Sequence, residues 1–130
     1  MVFNSSKNDK IIRMNITENH NNTNEIYENI WKCLDKGVND RFSDYHTFSL
    51  ATSPKNIVEV RTVVLRGYDR KNQSIIFHTN NLTNKISEIQ NNPSVGALFY
   101  DRKEKVQIRL NGDAVISNMD QYCKERWDKM

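Results

Sequence analysis

The stretch VEVRTVVLRGYDRKNQSIIFHT, residues 58–79, contains two segments rich in β-branched and aromatic residues, separated by a polar connection. Residues 58–65 and 74–79 have the composition of strands. The connection GYDRKNQ is polar and of hairpin length. The pattern therefore predicts an antiparallel β-hairpin over residues 58–79.

Two arginines, Arg61 and Arg66, are the unusual residues of this hairpin, because a buried strand rarely tolerates full charges. The obvious acidic partner in the flanking sequence is Glu59, so an external anion is a candidate partner. An odd spacing places two side chains on opposite faces of a regular strand. Both arginines can contact one anion only if a bulge, the strand twist or the strand end redirects one of them.

Further short strands are predicted on both sides of the hairpin. TFSLAT precedes it, and VGALFY, VQIRL and DAVI follow, the last two separated by a turn or bulge at Asn111-Gly112. Together with the hairpin these segments make six short strands, joined mainly by hairpin-length links. We therefore predict a mainly β fold with short helices, of the α+β class, built around a small six-stranded antiparallel barrel.

Three stretches have helical signals. Residues 22–37 carry apolar side chains at helical spacing, which predicts one buried face made of Ile26, Ile30, Trp31 and Leu34. Asn22 is a candidate cap for this helix, and Gly37 is expected to end it. A short second helix is expected to follow Thr83 as its cap and to end before Pro93, and a third to begin at Ser117.

Length and composition predict one domain, residues 21–130, preceded by a polar segment, residues 1–20, that we expect to be flexible. The sequence has no apolar run of the ~18–20 residues that a membrane span needs and no signal-like start, which favours a cytoplasmic protein without membrane contact. The net charge of +3 is mild, so nucleic-acid binding is not demanded. Cys33 and Cys123 have no metal-ligand or redox spacing, and we expect two reduced thiols and no metal site.

Polar side chains with hydrogen-bond donors stand at several strand ends and helix starts. Besides Arg61 and Arg66, they occur at residues 78–80, where a strand ends, and at residues 83–85, where a helix begins. The first turn of a helix offers free N–H groups and a partial positive charge, and the forked guanidinium matches phosphate oxygens. If these groups converge, they form a site for a phosphate monoester.

The runs RTVVLRGYD, IFHTNNLTNK, NPSVGALFY and VQIRLNG occur in this order between residues 58 and 113. In sequence and spacing they resemble the FMN-binding split barrel of the pyridoxamine 5'-phosphate oxidase family. The residues of these motifs resemble those of a less-characterised FMN-binding branch more than those of the vitamin B6 enzyme itself. The resemblance implies a six-stranded antiparallel split β-barrel with FMN as its cofactor.

The resemblance also implies roles for individual residues. Arg61, Thr79 and Lys85 would contact the FMN phosphate, near Thr83 at the start of the helix. The backbone of Thr62, Val63 and Val64 would run along the ribityl chain and the ring. Arg66 would lie near the ring and the substrate. Gln107 would bond to the polar edge of the isoalloxazine, and Arg109 lies two residues on, on the same strand face.

Two positions depart from the family's pattern. Asn84 stands where the family has an arginine, so a neutral amide replaces one cation near the phosphate. His78 stands where the family often has tyrosine, and it can either donate to the phosphate or fill the edge of the barrel. The family's oxidases also continue with a C-terminal segment that QYCKERWDKM does not match. The chain is thus expected to be a fragment of a longer protein or a minimal flavin binder.

Three classes of function follow. The first is an FMN-dependent oxidoreductase acting on a small molecule, as a homodimer with FMN at the interface, and the sequence identifies no catalytic residue for it. The second is a non-catalytic FMN-binding module. The third is a small barrel that binds single-stranded nucleic acid through exposed aromatic side chains, for which the candidates are Tyr68, Phe77, Phe99 and Tyr100.

Overall fold

The structure, a computed structural model, describes residues 9–16, 24–80 and 84–118. This part of the chain contains six strands and two α-helices, with a 3₁₀ helix before the second strand. In order they are β1 (Asp9–Ile16), α1 (Asn24–Asn39), the 3₁₀ helix (Asp44–His46), β2 (Thr47–Thr52), β3 (Glu59–Asp69), β4 (Ser74–Asn80), α2 (Asn84–Asn91), β5 (Ser94–Asp101) and β6 (Val106–Asn118).

The six strands form a closed barrel in the order β1-β4-β3-β2-β5-β6, and every neighbouring pair is antiparallel. The predicted hairpin over residues 58–79 is the β3–β4 pair. The predicted α+β class and six-stranded antiparallel barrel are therefore confirmed.

Two predictions, one on the N-terminal segment and one on the turn or bulge at Asn111-Gly112, were wrong. The segment of residues 1–20 was expected to be flexible, but Asp9–Ile16 forms β1, which lies between β4 and β6 and closes the barrel. Its side chains Ile12 and Met14 are fully buried. The predicted turn at Asn111-Gly112 is absent as well, because these residues pair with Gly96 and Val95 inside the continuous strand β6.

Aromatic side chains fill the interior of the barrel. The Phe48 ring stacks on Phe99, with ring centroids 4.8 Å apart, and meets Phe77 edge to face at 5.6 Å. Leu50 and Leu65 are buried beside them. A barrel with so few strands has an interior occupied by its own side chains. A ligand must therefore bind on the outer face of the barrel or at one of its ends.

Helix α1 packs on β3 through Trp31, which is buried as predicted, and its ring lies 5.7 Å from that of Tyr68. The helix does not end at Gly37 but continues to Asn39. A Cβ atom at Gly37 would lie 2.3 Å from the carbonyl oxygen of Tyr45, so glycine is required here for close packing rather than for termination. Ile26, predicted to be buried, is 51% exposed.

The third predicted helix does not begin at Ser117, because β6 extends through Asn118 and pairs with β1 there. Residues 119–130 lie outside the described part of the chain, as do the predicted caps Asn22 and Thr83. Among the helices that the structure describes, none is long and apolar enough to cross a membrane.

Candidate functional site

The two arginines of β3 have different surroundings. Arg61 pairs with Leu50, whose side chain is fully buried, so Arg61 also points to the inner side, near one end of the barrel. The register between β3 and β4 shifts between Leu65 and Gly67, which places Arg66 in a β-bulge. Arg66 is half-buried, and burial lowers the pKa of its guanidinium from the ordinary value. The bulge anticipated from the odd spacing thus lies at Arg66.

Arg61 contacts a carboxylate of the protein itself. Its Nη2 atom lies 2.5 Å from Oε2 of Glu88 in α2, and its Nη1 donates to Oγ1 of Thr52 at 3.0 Å. The Thr52 hydroxyl in turn donates to Oε2 of Glu88 at 2.8 Å. Glu59, the acidic neighbour considered from the sequence, is exposed. The acidic partner of Arg61 is therefore Glu88, which is distant in the sequence.

The position of Arg61 relative to α2 follows from its ion pair with Glu88. Arg61 lies beyond the last paired residues of β3 and β4, Leu65 and Phe77, and its guanidinium reaches α2 through the ion pair with Glu88. Glu88 lies about one turn after the first residue of this helix. The guanidinium therefore lies beside α2, the helix that also carries Lys85.

Other members of the predicted phosphate cluster are described only by their backbone or not at all. Thr79 is in β4 and Lys85 in α2, without described side chains, and Thr83 lies outside the described residues. His78 is half-buried and follows the fully buried Phe77 in β4, so it is on the opposite face of that strand. The convergence of Thr79, Thr83 and Lys85 on a phosphate stays a prediction.

A row of side chains crosses the outer face of four adjacent strands. Thr62 pairs with Ser49, Ser49 with Leu98, and Leu98 with Arg109. Gln107 pairs with Tyr100, on the same face of β5 and β6. Thr62, Gln107 and Arg109 are all exposed.

The backbone of β3 separates this outer face from the core. Val63 is buried in the core and Val64 is half-buried. Only the main chain of Val63 is therefore available to a ligand on the outside, and the backbone role of residues 62–64 stays a prediction.

A cavity of about 320 Å³ opens beside this row. It combines polar, aromatic and charged side chains from β2, β3, β5 and the loops next to them. These are Arg41, Ser43, Asp44, His46, Thr47, Phe48, Ser49, Thr62, Leu98, Tyr100 and Arg102. Of the site residues predicted from the sequence, only Thr62 lines the cavity. The remaining lining residues were not predicted as site residues, because they come from β2, β5 and loops that are far apart in the sequence, and no single motif joins them.

His46 is held in one orientation in this cavity. Its Nδ1 lies 2.7 Å from the carbonyl oxygen of Gly37, and because a carbonyl oxygen only accepts, Nδ1 must carry the proton. Nε2 of a neutral His46 is then a proton acceptor. On the other side, Asp44 accepts a hydrogen bond of 3.0 Å from the backbone N–H of Arg102, which joins the loop before β2 to the β5–β6 turn.

The structure weighs against a nucleic-acid interface. Phe77 and Phe99 are fully buried in the barrel, so they cannot stack on bases. Tyr68 packs against Trp31 and donates to Asp35 at 2.8 Å. Only Tyr100 of the four candidate aromatics is exposed. Within residues 9–16, 24–80 and 84–118, no three His, Cys, Asp or Glu side chains lie together as metal ligands would.

Comparison with known proteins gives consistent results. The sequence profile of the pyridoxamine 5'-phosphate oxidase FMN-binding domain matches residues 28–118. A pyridoxine/pyridoxamine 5'-phosphate oxidase from Psychrobacter cryohalolentis is 33% identical over 93 residues, 71% of this chain and 41% of that protein. One from Aliarcobacter butzleri is 31% identical over 81 residues, 62% of this chain and 37% of the relative.

A solved structure is also similar. It is a pyridoxamine 5'-phosphate oxidase-related, FMN-binding protein from Nostoc punctiforme, with a TM-score of 0.56 and 25% sequence identity, covering 66% of this chain and 44% of that one. The chain therefore spans less than half the length of these relatives.

Proposed function

Because the chain belongs to the pyridoxamine 5'-phosphate oxidase family, whose FMN-binding domain matches residues 28–118, we propose that it is a flavin-dependent oxidoreductase acting on a small molecule. The predicted cofactor, FMN, is confirmed by the match to the FMN-binding domain over residues 28–118. The observation that supports catalysis beyond binding is the cavity beside Thr62, which is lined by the oriented His46.

The residues of this chain fit FMN. The filled barrel interior supports a flavin that lies along the exposed outer face carrying Thr62 and Gln107. The Gln107 side chain has both donor and acceptor groups, as the polar edge of an isoalloxazine requires. Arg61 supplies a fixed guanidinium near the start of α2 for the phosphate. No part of this assignment requires a metal.

The cavity provides room for a substrate next to the flavin. Its volume of about 320 Å³ is at the lower end of the range for small-molecule pockets. FMN held on this face would supply the redox chemistry, the capacity to take up a hydride from a substrate. Nε2 of a neutral His46, a residue that lines this cavity, would accept the proton that leaves an amine or alcohol as it is oxidised. Arg41 and Arg102 favour a substrate with a negatively charged group.

The test of this function is reduction of the bound flavin. The purified chain is reconstituted with FMN and mixed without oxygen with pyridoxamine 5'-phosphate, pyridoxine 5'-phosphate or NADPH, while the visible absorption band of the flavin is followed. Loss of the band with one of these compounds is the expected result, and His46→Gln should slow it. Tight FMN binding without reduction by any of the three would instead favour the non-catalytic FMN-binding module.

Arg61→Ala tests the phosphate assignment. It should weaken FMN binding by about 1.5–3 kcal/mol, the value of a hydrogen bond to a charged group, as measured by fluorescence titration. Riboflavin, which lacks the phosphate, should bind about equally to both proteins. Arg70→Ala is the matched control, because Arg70 also pairs with a glutamate, Glu28, but on the exposed surface. Unchanged FMN affinity in Arg61→Ala would remove the phosphate role.

We further propose a two-fold homodimer with FMN at the interface. Apolar side chains are exposed on the outer face that carries Thr62: Val60 is 64% exposed, Tyr100 50% and Leu98 40%. Burying such a face against a second copy is favourable, and a ligand shared between two chains stabilises their association. Light scattering should show a dimer that FMN strengthens. A monomer that still binds FMN tightly would contradict the shared site.

A further inference from the structure

Arg61, Thr52 and Glu88 form a closed ring of hydrogen bonds at the end of the barrel. Nη1 of Arg61 donates to Thr52 at 3.0 Å, Thr52 donates to Glu88 at 2.8 Å, and the same Glu88 oxygen accepts from Nη2 of Arg61 at 2.5 Å. The three residues come from β3, β2 and α2. The ring therefore fixes the guanidinium relative to three elements of the fold.

The ring uses one particular side of the guanidinium. Its two acceptor atoms, Oγ1 of Thr52 and Oε2 of Glu88, are only 2.8 Å apart. Such close acceptors fit the fork between Nη1 and Nη2, because acceptors on the outer N–H groups would lie much farther from each other. Nε–H and the outer N–H of one terminal nitrogen form a second fork, which the ring does not use. That second fork has the geometry that binds two oxygens of a phosphate or carboxylate.

Burial makes the ring a firm support. The side chain of Thr52 is 1% exposed, and those of Arg61 and Glu88 are 23% and 15% exposed. Hydrogen bonds to ionised groups are stronger where water is largely excluded. A guanidinium held in this way loses less conformational freedom when it binds an anion than a mobile one does.

We propose that Glu88 and Thr52 are positioning residues for cofactor binding: they hold Arg61 so that its second fork is directed at the phosphate of FMN. This inference rests on the proposed phosphate role of Arg61. The opposite possibility is that Glu88 occupies Arg61 as a competing anion, which the phosphate must displace. The two differ in the sign of the effect that removal of Glu88 has on FMN affinity.

The experiment compares FMN with riboflavin, which has the same ring and ribityl chain but no phosphate. Dissociation constants of both are measured by fluorescence titration for the unmodified chain, Glu88→Ala, Glu88→Gln and Thr52→Val. Glu88→Ala should weaken FMN binding about tenfold, the equivalent of one charge-assisted hydrogen bond, and leave riboflavin binding within about twofold. Glu88→Gln should lose less FMN affinity than Glu88→Ala, because its amide oxygen still accepts a hydrogen bond from Nη2 of Arg61.

Glu28→Ala is the matched control, because it removes an exposed glutamate paired with Arg70 and should change neither affinity. Thr52→Val should reproduce part of the FMN-specific loss. Should Glu88→Ala fail to fold, Glu88→Gln, which has nearly the same shape, carries the same comparison.

The outcomes are distinct. An unmodified chain that binds neither FMN nor riboflavin overturns the proposed function itself, whatever the variants do. Equal losses of FMN and riboflavin affinity show a purely structural ring and overturn the positioning role. Tighter FMN binding by Glu88→Ala and Glu88→Gln overturns it in favour of competition. An FMN-specific loss that grows from Glu88→Gln to Glu88→Ala supports it.

Discussion

Replacing Gly37 with alanine would place a methyl group where α1 meets the loop before β2. Alanine is normally the better helix residue, by about 1 kcal/mol. At this position, however, the new Cβ would lie 2.3 Å from the carbonyl oxygen and 2.6 Å from the carbonyl carbon of Tyr45. Tyr45 is 5% exposed, so its backbone has no free space into which it could move away from the new methyl group. The helix and the 3₁₀ helix must instead move apart by about 1 Å to restore ordinary contact.

The expected size of the effect follows from these contacts. Overpacking costs about 1–3 kcal/mol of stability. Separation of the two helices also strains the 2.7 Å hydrogen bond between His46 and the Gly37 carbonyl, and such a bond contributes about 0.5–1.5 kcal/mol. After subtraction of the helix-propensity gain, Gly37→Ala should lower the free energy of unfolding by about 1–3 kcal/mol. Because His46 lines the cavity, the same change should also slow flavin reduction.

The assay is urea unfolding followed by far-ultraviolet circular dichroism. Gly96→Ala is the control, because the nearest atom to its Cβ would be Oδ1 of Asn111, at an ordinary 3.6 Å. That variant should stay within about 1 kcal/mol of the unmodified protein. An unchanged or increased stability of Gly37→Ala would show that helix propensity outweighs the contact with Tyr45, and it would refute the packing argument.

Three further predictions concern β5 and the turn after it. Lys105 has a φ of 56°, a conformation that strains a lysine but not a glycine. Lys105→Gly should therefore raise the unfolding free energy by about 0.5–1 kcal/mol in thermal melts, whereas the control Lys103→Gly should not. The backbone N–H groups of Glu104 and Lys103 lower the pKa of Asp101, so this carboxylate stabilises the fold above its ordinary pKa of about 4, and the contribution disappears as the pH falls through the lowered value. Asp101→Asn should therefore flatten the acid-side decline of the unfolding free energy in urea titrations, and an unchanged decline would contradict this. Phe99→Ala should cost about 3–5 kcal/mol in the same assay, because its ring is fully buried against Phe48, and a loss below about 1 kcal/mol would contradict the described core.

Much of the fold can be predicted from the sequence, because these features depend on residues that are neighbours in the chain. The β-branched residues of β3 and β4, and the polar connection of hairpin length between them, are sufficient to predict that these strands pair. Trp31 and Leu34 are buried as their helical spacing predicts. The order of the family motifs over residues 58–113 similarly predicts the family and FMN. In each case the signal lies within a short stretch of chain.

The tertiary structure alone decided three other features. Asp9–Ile16 is a strand because the barrel needs a sixth member between β4 and β6, and in its polar sequence only the alternating Ile12 and Met14 hint at this. Gly37 lies inside α1 because Tyr45 packs against it. Glu88 is the partner of Arg61 because α2 covers that end of the barrel. Secondary-structure propensity and the spacing of apolar residues are properties of adjacent residues, so the sequence reveals them. Barrel closure, close packing and ion pairing depend on contacts between residues far apart in the chain.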